Sequence, residues 1–195
     1  MSLPVVYYVH GAGATRISFN WMISVLPKHD ARFFDYHTDE GLNSCVTRLS
    51  ETIAAGPPCV VVGHSLGGVI AAAMAPLPSV RGVVTVCAPF AGLPSATLLA
   101  MLRPNQLFRD VSSLNPRLRR IRNGVVEHKK PHLPIVGDYG LPLCGADNDG
   151  VVPVESQVAI PGLTYRKFNL NHFEVLLSGE VSLAIDAFLK EIWTQ

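Results

Sequence analysis

The stretch Val60-Val61-Val62-Gly63-His64-Ser65-Leu66-Gly67-Gly68 constrains this chain more than any other. An apolar run stops at a glycine, offers one serine and restarts as Val69-Ile70-Ala71-Ala72-Ala73-Met74-Ala75. A short β-branched run followed by an alanine-rich one predicts a buried strand, a sharp turn and a helix. The turn has a chemical use. A serine hydroxyl becomes a nucleophile only when a base takes its proton and donors hold the oxyanion that forms, so it must project from a tight turn. Gly63 and Gly67 suit that turn, since residues without a side chain accept unusual backbone angles and let the helix approach the strand. A helix start beneath Ser65 supplies free N–H groups and a positive dipole end, which makes the amide of Leu66 a candidate oxyanion donor. The bland alternative is a glycine-rich turn with a buried serine.

Four other segments have the same apolar, strand-like character: Leu3-Pro4-Val5-Val6-Tyr7-Tyr8-Val9, Val83-Val84-Thr85-Val86, His132-Leu133-Pro134-Ile135-Val136-Gly137, and residues 165–170. A short strand is also expected over residues 31–36. Between them, residues 17–26, 42–53 and 181–193 carry apolar side chains at helical spacing. Continuous Val-rich runs alternating with helices predict a parallel sheet covered on both faces, a three-layer α/β sandwich. Right-handed crossovers then bring the carboxyl end of every strand, and with it the site, to one edge. A single domain over residues 1–195 suits the length.

The 48% hydrophobic content with 16% charged residues matches a packed α/β core, and a net charge of +1 excludes a general polyanion partner such as nucleic acid. Cys45, Cys59, Cys87 and Cys144 are widely spaced with no C-x-x-C, so free thiols in a reducing compartment are expected. The first strand begins without a basic leader, and no run reaches the roughly 18 apolar residues of a membrane span. These features give a cytoplasmic expectation. Residues 103–130 depart from the average: eight Lys and Arg face only Asp110 and Glu127. Together with the apolar residues from Phe90 onward, they suggest a cap over residues 90–130 able to meet an anionic head group or membrane surface. The alternative is an ordinary helical excursion with a solvated basic face.

An activated serine needs an imidazole, and the imidazole needs a carboxylate to fix its tautomer. His172 follows the final strand and precedes an apolar helix. His64 adjoins Ser65, where its side chain is expected to turn away, and His10, at the end of the first strand, reads as a loop brace. For the carboxylate, Asp149 is preferred over Asp147 because Gly150-Val151-Val152-Pro153 follows it at once. Asp147-x-Asp149 also keeps a calcium reading open. The loop His10-Gly11-Ala12-Gly13-Ala14 offers backbone amides for the other half of an oxyanion hole.

Taken together, His10-Gly11, Gly63-His64-Ser65-Leu66-Gly67-Gly68, Asp149-Gly150-Val151-Val152-Pro153 and Asn171-His172-Phe173 resemble a small α/β-hydrolase of the lipase and esterase type over nearly the whole chain. The resemblance implies an α/β-hydrolase fold with Ser65 as nucleophile, His172 as base, Asp149 as acid, and the amides of Ala12 and Leu66 as oxyanion donors. It implies hydrolysis of an acyl ester or lipid with neither metal nor organic cofactor. A thioesterase or amide hydrolase would use the same residues, and a receptor on a hydrolase scaffold would keep the fold without the reaction.

Overall fold

The computed structural model describes residues 3–37, 39–93, 112, 115–140 and 147–194. Six parallel strands form one sheet in the order β2-β1-β3-β4-β5-β6, with β1 at Val5–Val9, β2 at Asp30–Phe34, β3 at Cys59–His64, β4 at Val80–Val86, β5 at His132–Gly137 and β6 at Arg166–Phe168. The register Val5↔Cys59 through Val9↔Gly63 aligns β1 with β3, and Gly63↔Thr85 and His64↔Val86 align β3 with β4. All three therefore end at one edge.

Alternation along each strand divides the core in two. Val5, Tyr7, Val9, Val61 and Val83 point to one face and join Leu49, Ile53, Val69 and Ile70, so that α2 (Leu42–Ala54) and α3 (Leu66–Ala72) cover it. Val6, Tyr8, Val60, Val62 and Val84 point to the other. There they meet Phe19 and Met22, carried by the 3-10 turn Arg16–Phe19 and α1 (Asn20–Val25), and Ile185 and Leu189 of the C-terminal helix Gly179–Thr194. The expected three-layer sandwich is what forms. The first predicted helix is split into a 3-10 turn and a short α-helix, and Thr15 caps its start by accepting from the Ile17 amide at 3.4 Å.

The basic segment divides. Residues 94–111, 113 and 114 lie outside the described residues, as does Cys144, while Pro116–His128 forms α4. Asn115 Oδ1 caps this helix by accepting from Arg117 N at 2.9 Å. Leu118 and Val125 are buried in the α2–α3 layer, and Arg119 and Arg120 are exposed. This part of the expected cap is a structural layer of the sandwich. Cys45, Cys59 and Cys87 are buried and form no disulfide. No described helix is long and apolar enough to cross a membrane.

Candidate active site

Ser65 stands between β3 and α3 with φ 55° and ψ −124°, a conformation costing a non-glycine residue about 1–3 kcal/mol. Close packing holds it there. A Cβ on Gly63 would lie 2.1 Å from the Gly67 carbonyl oxygen, and one on Gly67 would lie 2.1 Å from Val9 O and 2.4 Å from His10 O. Gly67 thus lets the first turn of α3 touch the end of β1. Leu66 opens the helix, so its N–H has no intrahelical acceptor. Leu66 lines a cavity of about 50 Å³ together with Gly11, Ala12, Ser65, Leu93 and His172.

His10 shapes the Gly11-Ala12 loop without entering the cavity. Its Nδ1 donates to the Gly11 carbonyl at 2.9 Å, its ring stacks on Tyr36 at 4.5 Å, and its carbonyl accepts the Tyr36 hydroxyl at 2.8 Å. It is a brace, as its position at a strand end suggests.

Asp149 is fully buried in the loop after β5, whereas Asp147 is exposed. Asp149 Oδ1 accepts the amides of Val151 (2.9 Å) and Val152 (2.6 Å), and Oδ2 accepts His172 Nδ1 at 2.7 Å and the Gln157 side-chain amide at 3.2 Å. The His172 amide also donates to the Asp149 carbonyl at 2.8 Å, so backbone and side chain together fasten the two loops. With its proton held at Nδ1, the imidazole keeps the lone pair of Nε2 free. His172 and Ser65 line the same cavity, and no hydrogen bond joins them at rest; such contacts often tighten only around substrate.

Three residues of this cluster escaped the sequence reading. Gln157 closes α5 (Val154–Gln157); its Oε1 accepts Gly137 N at 3.1 Å and its Nε2 reaches Gly137 O (3.0 Å), Val152 O (3.1 Å) and Asp149. Cys87, at φ 52°, places its thiol against Asp149, and burial first, then the Asp149 charge, pushes that thiol well above its ordinary range. The third is a correction. The His64 side chain does not turn away from the site: its Nε2–H donates to the His172 carbonyl at 2.8 Å, and the two rings are 4.7 Å apart. Burial, reinforced by the neighbouring His172, pushes the His64 imidazole down to about 3, so it remains neutral.

Ligand atoms of Cys87, Asp149 and His172 lie within 4.8 Å of one another. Both Asp149 oxygens are nevertheless filled by N–H donors, the surroundings of a hydrogen-bonded anion and not those of a cation cage. The same saturation disfavours calcium at Asp147-x-Asp149.

A parallel sheet that presents a serine on a strained strand–helix turn, above a buried carboxylate–imidazole pair, defines a hydrolase. The chain belongs to the alpha/beta hydrolase family, whose model matches residues 6–140. No curated protein sequence matches it. Among solved structures, it is similar to the mature lipase BlEst2 of Bacillus licheniformis (18% identity, 98% of this chain and 92% of that one, TM-score 0.77). It is also similar to a monoacylglycerol lipase of Paleococcus ferrophilus (17%, 100% and 96%, 0.69) and to a lipase-esterase related protein of Clostridium acetobutylicum (18%, 96% and 95%, 0.71). At these identities the likeness is one of fold.

Proposed function

We propose that the protein hydrolyses carboxylic esters, of small molecules or lipids, through an acyl-enzyme formed on Ser65. The observation that carries this reading is the buried 2.7 Å bond from His172 Nδ1 to Asp149 Oδ2 beside a serine on a strained elbow. Ser65 Oγ attacks the acyl carbonyl while His172 Nε2 takes its proton. The amides of Ala12 and Leu66 hold the oxyanion, and Asp149 keeps His172 in the required tautomer and stabilises the imidazolium. As the tetrahedral intermediate collapses, the C–O bond to the alcohol breaks and His172 returns the proton to the departing oxygen. Water then repeats the sequence, with His172 as its base, and releases the acid and free Ser65. The lipase and esterase likenesses support an acyl ester as substrate.

The test is hydrolysis of p-nitrophenyl esters with two to sixteen acyl carbons by wild type and Ser65→Ala, with phosphonate labelling of Ser65 in parallel. Loss of the serine is expected to lower kcat/KM by about 10⁴-fold or more. Hydrolysis that survives Ser65→Ala, or an unreactive Ser65 with no hydrolysis of any ester, overturns the reading.

A further inference from the structure

A second and larger cavity, about 460 Å³, lies against His172; Tyr139 and Gly140 beyond β5, Gly150 in the acid loop, and Asn171 beside the imidazole contribute to its wall. Val151, His172 and Phe173 line both this cavity and the one at Ser65, so the two adjoin at His172 as a large and a small lobe. Ala12 and Leu66 line the small lobe alone.

The reaction assigns a role to each lobe. The carbonyl oxygen must turn toward the Ala12 and Leu66 amides, whereas the bond that breaks must lie where His172 can deliver its proton. The leaving group therefore departs beside His172, a residue that also walls the large lobe. Its volume is within the range that holds whole small-molecule ligands. Asp149 is the one charged side chain in the described lining, and its four N–H partners leave it nothing to offer a ligand. Two aromatic side chains also stand there largely uncovered: Tyr139 is 59% exposed and Phe173 64%, the latter held edge-on to the His172 ring at 5.3 Å. Exposed rings beside a cavity whose described lining offers no available charge gain most by covering an apolar, ring-bearing group.

We propose that the large lobe is the leaving-group subsite, and that it selects esters of bulky, uncharged alcohols bearing an aromatic or alicyclic ring. This inference rests on the ester-hydrolase reading above and deepens it, placing selectivity on the alcohol side of the scissile bond.

The experiment compares acetate esters of ethanol, 2-phenylethanol and choline, which share one acyl group. The expected kcat/KM for 2-phenylethyl acetate exceeds that for ethyl acetate by about tenfold, the scale of covering one ring, and the choline ester gains no such preference. Tyr139→Ala, a change at an exposed position, should lower the 2-phenylethyl to ethyl ratio by about threefold through KM. In a direct measurement, 2-phenylethanol should slow phosphonate labelling of Ser65 at far lower concentration than ethanol does. Equal rates on the two neutral esters, a ratio unmoved by Tyr139→Ala, a preference for choline, or equal protection by the two alcohols each overturns the subsite while Ser65 labelling stands. Absence of both labelling and hydrolysis overturns the ester-hydrolase reading, and the subsite with it.

Discussion

Gln157 donates to the same Asp149 oxygen that receives His172 Nδ1, so the charge felt by the imidazole depends on a side chain that never meets the cavity at Ser65. Gln157→Leu is therefore expected to lower kcat more than it changes KM, because Oδ2 and the imidazole it holds lose a fixed neighbour. An unchanged kcat with a drop in stability assigns the amide a purely structural role. Stability should drop in either case, by about 2–3 kcal/mol, because the Gly137 amide and carbonyl lose their buried partner. The candidate site was legible in the sequence only where a residue has a local signature. Ser65 lies between an apolar run and a small-residue run, Asp149 precedes a Gly-Val-Val-Pro turn, and His172 follows the last strand. Gln157, Cys87 and His64 have no such signature. Their roles come from contacts with Asp149 or His172 that only the folded loops create, across as many as 108 residues in the case of His64.

At the scale of elements, the glycines of α3 and α4 make opposite predictions. Gly67 is a meeting point of two elements: a Cβ there would lie 2.1 Å from the Val9 carbonyl oxygen, and that backbone cannot retreat without pulling β1 away from β3. Gly67→Ala is expected to cost about 3 kcal/mol in the denaturant midpoint and to shift Leu66 away from Ala12. Gly124 in α4 is the contrast, since its added Cβ would meet only Pro76 Cγ at 3.6 Å, an ordinary contact. Gly124→Ala should raise stability by about 0.5–1 kcal/mol, the usual gain in a helix interior. If the two substitutions were equally tolerated, the close approach of α3 to β1 would not be what holds the elbow. The same elements show how far periodicity reaches. The Val-rich strands were readable because burial on both faces leaves an unbroken apolar run. In α4 the arginines dominate the composition, and the seven-residue spacing of Leu118 and Val125, which seats the helix on α3, is a thin signal beside them. β6, at the sheet edge, keeps only Arg166–Phe168 of the predicted 165–170.

Across the whole molecule, folding encloses two imidazoles, His64 almost fully and His132 in part. His64 lies in the site. His132 opens β5 beside β4, where its Nε2 bonds the Thr85 hydroxyl at 3.0 Å and its Nδ1 is enclosed without a partner. Burial pushes both down to about 3, from an ordinary value near 6.5. Above pH 6.5 these groups are neutral in the folded and unfolded chains alike and contribute nothing to the pH dependence. As pH falls from 6.5 toward 3, the unfolded chain takes up protons that the folded chain refuses, so stability is lost across that window. Each histidine steepens the loss by up to about 1.4 kcal/mol per pH unit. Between pH 6.5 and 5 ordinary carboxylates remain largely ionised, which isolates the histidine contribution. His132→Gln, outside the site, removes one of the two, and urea unfolding at several pH values should show its slope flattened by up to one proton relative to wild type. Unchanged slopes would mean that His132 is protonated in the folded protein, and that the junction of β4 and β5 admits water the packed sheet is expected to exclude.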